Sequence, residues 1–256
     1  MAELAELEPS PAEQRLAERR RIAIVPALNE EGNVGRVIAE IRAFDPGLDV
    51  VVIDDGSFDG TAAVAHEAGA HVLRLPFNLG IGGAVQTGFR YAFEHGYDVA
   101  VRVDGDGQHD PSQLGLILEP VLAGAADIVV GSRFAGSGGY RSSRSRRAGI
   151  RLLAWVVSAL VRQRVTDTTS GFQALNRDGI RLFAADYPHD YPEVEAAVMV
   201  VRHRLRLAEV PVSMRERVAG RSSITALHSG YYMVKVLLAI FVGVFRRNVV
   251  PLEDRR

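Results

Sequence analysis

Two aspartates separated by one glycine, Asp104-Gly105-Asp106, close the apolar run VAVRVD and are the pair best suited to chemistry in this 256-residue chain. In an extended segment alternate side chains point the same way, about 6.6 Å apart along the strand, so both carboxylates can address one cation or its waters. Hard oxygen ligands without histidine or cysteine partners favour Mg2+ or Mn2+, an ion that normally bridges to phosphates. Asp54-Asp55-Gly56-Ser57 ends another apolar run, at a next-door strand end, where a carboxylate can accept hydrogen bonds from ribose hydroxyls or a base edge. Asn29, Glu30 and Glu31 end a third, and Ser132 and Arg133 a fourth. Six arginines, Arg133, Arg141, Arg144, Arg146, Arg147 and Arg151, then follow within a short span. Their guanidinium forks match phosphate oxygens, which points to a second anion beside the cation-bound one. Arg133 stands apart from the others because it emerges from an apolar strand pattern, whereas Arg141 and Arg144 read as a solvated basic loop.

Other candidates reduce to structure. Asp59-Gly60-Thr61 opens a helix pattern, so Asp59 reads as an N-cap. The glycines of Asn78-Leu79-Gly80-Ile81-Gly82-Gly83-Ala84 follow the third strand rather than the first, so they are not a dinucleotide fingerprint; they serve close helix packing. His109, next to Gln108, lies in a turn before Pro111 and reads as support rather than as a base. Ser57 has no evident base partner. The chain has no cysteine, which excludes thiolate metal sites and a cysteine nucleophile, and its one lysine, Lys235, lies in an apolar run that suits neither a Schiff base nor a phosphate loop. A net charge of −1 leaves phosphate affinity to local patches. Nucleic acid is not expected as a partner.

The elements that must position these residues follow from periodicity. Strand-length runs alternate with helical patterns: IAIVPA and VGRVIAEIRAF, VVVIDD and GTAAVAHEAG, HVLRLP and GGAVQTGFRYAFEHG, VAVRVD and LGLILEPVLAG, then ADIVVGS. That rhythm predicts βαβ units on a largely parallel sheet, whose ligands bind at the carboxyl ends of the strands. The acidic pairs and Arg133 all fall at such ends. SGFQALN and LAEVPVSM read as further strands with the helix PEVEAAVMVVRHR between them, and LLAWVVSALV as a helix after the basic loop. Residues 1–20 read as a mobile tail that lacks the continuous apolar stretch of a signal peptide. Residues 231–245, YYMVKVLLAIFVGVF, would rise about 22 Å as a helix, short of a roughly 30 Å hydrocarbon core. With Arg246 and Arg247 behind it, this segment fits a helix lying in a membrane interface or docking on a membrane protein, and equally a terminal helix packed on the core.

Taken in order, PALNEEGNV, VVIDDGSFDGT, NLGIGGAVQTGF, VDGDGQHDP, GSRF, TDTTSGFQALN and RVAGRSS resemble the motifs of family 2 glycosyltransferases of the polyprenyl- or dolichyl-phosphate mannosyl- and glucosyltransferase type, over residues 22–223. The resemblance implies a GT-A fold, a Rossmann-like mostly parallel sheet flanked by helices, over residues 21–223, followed by a membrane-associating or docking helix and tail over 224–256. It implies a nucleotide-sugar donor such as GDP-mannose or UDP-glucose, a polyprenyl-phosphate acceptor, Mg2+ or Mn2+, and inverting transfer. Position by position, Pro26, Leu28, Glu30 and Asp55 would contact the nucleoside, and Asp104, Asp106 and Gln108 would surround the metal. Arg133 and Arg147 would hold the acceptor phosphate, with Arg217 near the donor phosphates. Gly105 and Gly107 stand where the family motif usually has Ala or Thr-Leu, which predicts a looser loop, and Ser223 stands for a lysine often seen there. The family's paired transmembrane helices are missing, so the expected setting is the inner face of the cell membrane, with a membrane surface or a small integral membrane protein as partner of residues 231–247. Homo-oligomerisation stays open. A phosphate acceptor is already largely dianionic at neutral pH and needs no protein base. Transfer to a sugar or protein hydroxyl would need one, with Asp167, Glu193 or Glu195 as candidates. A catalytically silent nucleotide-sugar-binding subunit is a third reading, disfavoured by the intact Asp104-Gly105-Asp106.

Overall fold

The computed structural model describes residues 19–135, 153–160, 163–188 and 192–215. Strands β1 (Arg21–Ala27), β2 (Asp49–Asp54), β3 (His71–Arg74), β4 (Val99–Arg102), β5 (Ile128–Ser132), β6 (Gln173–Asn176) and β7 (Leu207–Pro211) form one sheet. Its order is β3-β2-β1-β4-β6-β5-β7. The strands run parallel except β6, which pairs antiparallel with both β4 and β5. Consequently β1 lies between β2 and β4, and the Asp54-Asp55 end is two strands from the Asp104-Gly105-Asp106 end, not next door as the chain order alone suggests.

The central strands are apolar on both faces because both are covered. Ile22, Ile24, Val51 and Ile53 enter one core layer, while Ala23, Val25, Val50 and Val52 enter the other, the period-2 alternation of a strand. Helix α1 (Val34–Phe44) presents Val34, Val37, Ile38 and Ile41, a stripe at helical spacing, to the second layer, together with α2 (Thr61–Glu67) and α4 (Leu114–Leu122). On the first layer lie α3 (Gly80–Glu94), the helical residues 153–160 (α5), α6 (Arg177–Ala185) and α7 (Pro192–Arg202). Helix α6 has no counterpart among the periodic segments of the sequence. Its start is set by Asn176, whose side chain accepts the Gly179 N–H at 3.0 Å. Phe89 of α3 meets Phe183 of α6 with ring centroids 5.3 Å apart.

Gly88 lets α3 lie directly on β1, since a Cβ there would overlap Ile24 Cγ2. The close packing thus falls at Gly88, outside the Gly80–Gly83 run for which it was expected; Gly80 has φ 79° and nothing within 4 Å of an added Cβ, so it serves the turn into the helix instead.

Candidate functional site

Because β6 runs against its neighbours, its first residues lie at the same edge as the carboxyl ends of β1, β2, β4, β5 and β7. Residues 166–172 therefore join the acidic loops and Arg133 on one rim. The loops after β1 and β2 are zipped together. Asn29 N–H donates to Ser57 Oγ at 2.9 Å, Phe58 N–H to Asn29 Oδ1 at 2.9 Å, and Glu30 N–H to Thr61 Oγ1 at 2.8 Å. Asn29 adopts φ 55°, a left-handed conformation that asparagine tolerates. Ser57 is thus a loop clasp. Gly60 holds the N-cap position of α2, and Asp59, one residue earlier, accepts the Thr61 N–H at 3.0 Å and the Glu31 N–H at 3.3 Å. The expected N-cap residue is displaced by one position. Burial opposes ionisation of Asp59, but the bonds from Thr61 and Glu31 outweigh it and lower its pKa. Asp55 is buried beside them, accepting the Leu79 N–H at 2.7 Å. Burial is the larger effect there and raises its pKa. Pro26 is buried at the end of β1 and Leu28 is exposed beyond it. The Glu30 carboxylate accepts from the Asn33 amide at 2.8 Å.

Asp104 and Asp106 occupy a tight turn. Gly105 N–H donates to Pro26 O at 3.1 Å, which ties the turn to β1, and Asp106 Oδ1 accepts the Gln108 N–H at 3.0 Å. Gly107 has φ 75°, and a Cβ there would lie against Arg36 Nη2. Glycine at this position suits the left-handed backbone, so it is no sign by itself of the looser loop that the departure from the family motif predicts. His109 is buried and packs on Phe172 at 5.0 Å between ring centroids. Its Nδ1 accepts the Asp104 backbone N–H at 2.9 Å, which places the proton of the neutral ring on Nε2, 3.7 Å from Asp104 Oδ2. Burial is the main cause that lowers its pKa, so the ring supports the turn as a neutral group. The segment after β7 closes over the same turn: Met214 bridges to His109, and Arg215 N–H donates to Gln108 O at 2.9 Å. Arg215 also pairs with Glu40 at 2.6 Å and Asp110 at 2.8 Å.

Beneath Asp104 lies Arg102, 1% exposed, a residue the sequence reading passes over. Its Nε donates to Asp104 Oδ1 at 3.0 Å and its Nη1 to Glu193 Oε1 at 3.0 Å and the Tyr187 hydroxyl at 3.4 Å. Burial disfavours the charge, but Asp104 and Glu193 outweigh it and keep Arg102 protonated. The one signal in the sequence is a charge inside the apolar run VAVRVD.

Arg133 is similarly committed. Its Nε and Nη2 donate to Asp167 Oδ2 and Oδ1 at 2.7 and 2.8 Å, and its backbone N–H to Oδ2 at 3.1 Å. The Arg133 fork, expected to face an anion, grips a fully buried carboxylate in this structure. Glu209 of β7 accepts the Thr166 and Asp167 N–H groups, holding the same turn. Asp167 and Glu193, candidates for a general base, are thereby ion-pair partners of Arg133 and Arg102. Glu195 lies in the first turn of α7.

The structure thus gathers Pro26, Leu28, Glu30, Asp55, Asp104, Asp106, Gln108 and Arg133 on one rim. Arg147, Arg217 and residues 231–247 lie outside the described residues. Among the described residues no group of three or more His, Cys, Asp or Glu forms a metal cage, and no helix is long and apolar enough to cross a membrane. The donor set of Asp104, 29% exposed at its side chain, and Asp106 nevertheless fits a hard cation that completes its shell with phosphate and water oxygens.

The family described as Glycosyl transferase family 2 matches residues 22–181. The undecaprenyl-phosphate mannosyltransferase of Micrococcus luteus is 33% identical over 229 residues, covering 85% of this chain and 92% of that protein. The polyprenol monophosphomannose synthase of Mycolicibacterium smegmatis is 31% identical over 228 residues, covering 85% and 86%. Among solved structures, glucosyl-3-phosphoglycerate synthase from Mycobacterium tuberculosis in complex with Mn2+, UDP-glucose and phosphoglyceric acid superimposes with a TM-score of 0.70 at 23% identity, covering 93% of this chain and 84% of that one. That likeness establishes the GT-A-like fold. A mixed, mostly parallel sheet with an acidic turn at the end of β4, matched by the family over more than half of the chain, leads to one conclusion: the protein belongs to glycosyl transferase family 2 and is a glycosyltransferase.

Proposed function

We propose that this enzyme transfers a hexose, with inversion, from a nucleoside diphosphate sugar to a polyprenyl phosphate, using Mg2+ or Mn2+. The observation that carries the reading is the turn Asp104 to Gln108, held at the carboxyl end of β4 by Pro26, His109 and Arg102 and flanked by the zipped loops after β1 and β2. The names of the two relatives support the acceptor; GDP-mannose and UDP-glucose are the donors we propose.

In this reading Pro26, Leu28, Glu30 and Asp55 receive the nucleoside, and Asp104, Asp106 and Gln108 hold the metal. The metal, when bound, supplies positive charge against the departing nucleoside diphosphate. Arg217 is assigned to the donor phosphates on the strength of the motif RVAGRSS alone. The acceptor phosphate is already ionised, so the task left to the chain is to bring two anions together. The direct contact is assigned to Arg147 on the strength of the arginine cluster in the sequence. Arg133, its fork on Asp167, forms a neutral ion pair that anchors the turn over residues 166–169 on the acceptor side. Two of the three base candidates for a hydroxyl acceptor, Asp167 and Glu193, are bound to guanidinium groups, which leaves Glu195 alone for that role. Residues 224–256 would associate with the inner face of the membrane or with a small membrane protein.

The decisive assay incubates purified protein with radiolabelled GDP-mannose or UDP-glucose, undecaprenyl phosphate and Mn2+, and follows label into the organic phase. Labelled lipid that disappears with EDTA and with omission of the lipid phosphate is expected. Transfer to a sugar or peptide hydroxyl with no lipid product would overturn the acceptor assignment.

A further inference from the structure

Arg102 is an expensive residue to bury, and its surroundings are built to accept it. Four separate parts of the chain converge on its guanidinium: the end of β4, the glycine before β6, the turn after α6 and the first turn of α7. A Cβ at Gly171 would stand 2.6 Å from Nη2 and 2.7 Å from Cζ, so no other residue fits there without moving the arginine. Tyr187, whose hydroxyl accepts from Nη1, is wedged against Phe89 and Phe183 with centroids 5.7 and 4.9 Å away. A buried ion pair of this kind is weak evidence for stability, since apolar residues of equal volume commonly serve as well. Here, however, one acceptor is the first carboxylate of the acidic turn, while His109 takes the backbone N–H of the same residue from another side.

We propose that Arg102 is a positioning residue: it locks the plane of the Asp104 carboxylate through Oδ1 and, through Glu193, makes that orientation depend on the docking of α7. The inference rests on the proposed metal and donor site. Charge and geometry predict opposite signs when the guanidinium is removed. If Arg102 acted only as a nearby cation, its loss would tighten binding of a divalent cation. If it orients Asp104, its loss weakens binding, by about 10- to 100-fold as for other groups that orient metal ligands.

The test is a titration of the full-length protein with Mn2+, with GDP or UDP present, following free Mn2+ by its paramagnetic resonance signal. Arg102→Met combined with Glu193→Gln removes both charges of the pair together. It is expected to weaken Mn2+ binding by at least tenfold and raise the donor KM, with the acceptor KM unchanged and a cooperative thermal transition retained. Arg102→Lys, which keeps the charge but lacks the fork, is expected to fall between this variant and the wild type. Unchanged or tighter Mn2+ binding in the folded double variant overturns the proposal. If that variant does not fold, Arg102→Lys decides alone: wild-type affinity rejects the positioning role, and weakened affinity supports it. Asp104→Asn separates the two levels of inference. Should it leave Mn2+ affinity unchanged, the metal site itself is misassigned; should it weaken binding while the Arg102 variants do not, only the role of Arg102 falls.

Discussion

Asp106 and Arg133 stand at the same rim but under different constraints, and their variants are expected to fail differently. Asp106→Ala removes a proposed metal ligand and should abolish transfer while leaving the thermal transition in place, read by product formation and circular dichroism. Arg133→Ala strands the buried Asp167 carboxylate, so it should cost about 3 kcal/mol in denaturant unfolding and also raise the acceptor KM. Asp167 permits a pH test as well. Burial raises its pKa, but the bonds from Arg133 and Thr169 outweigh it and leave the carboxyl below its ordinary 3.8. A depressed folded pKa means that the ionised group stabilises the fold above that ordinary value and that this stabilisation is lost as pH falls through the folded one. Asp167→Asn should therefore flatten the decline in unfolding free energy between about pH 5 and pH 2 relative to the wild type. A wild-type slope retained in the variant would assign the acid sensitivity elsewhere.

Helix placement depends on which glycines carry contacts. Gly88→Ala would drive a methyl group into Ile24 and lift α3 from β1, with an expected loss of about 2 kcal/mol despite the gain in helix propensity. Gly115 of α4 is the contrast, because its added Cβ would meet Phe44 at an ordinary 3.7 Å. Gly115→Ala should stabilise by about 0.5 to 1 kcal/mol, and parallel urea unfolding of the two variants checks both signs. Strands β1, β2 and β4 and helices α1, α3 and α4 were legible from apolar periodicity alone, since each buries a local pattern. Helix α6 was not: its amphipathic stretch is short, begins directly after β6, and carries Arg177, Asp178 and Arg181 among its apolar residues.

For the molecule as a whole, the rim gathers loops from six strands, and a lipid-linked acceptor would have to approach it from a membrane surface. Residues 231–247 are our proposed means of holding the enzyme there. Leu237→Ser with Phe241→Ser should reduce sedimentation with vesicles of mixed zwitterionic and anionic lipid and lower transfer to undecaprenyl phosphate. Nucleotide and Mn2+ binding should persist. Full vesicle binding by this variant would place membrane contact elsewhere in the chain.

The sequence by itself determined the βαβ rhythm, the strand ends that carry Asp55, Asp104, Asp106 and Arg133, and the family, because strand alternation, helical stripes and ordered motifs are local properties. It could not reveal that β6 inserts antiparallel between β4 and β5 and brings residues 166–171 to the rim. Nor could it show that Arg133 is spent on Asp167 and that Arg102 is buried against Glu193, 91 positions away. A charge can be buried only where its partners meet it, and that meeting is decided by which strands become neighbours, not by what stands beside the residue in the chain.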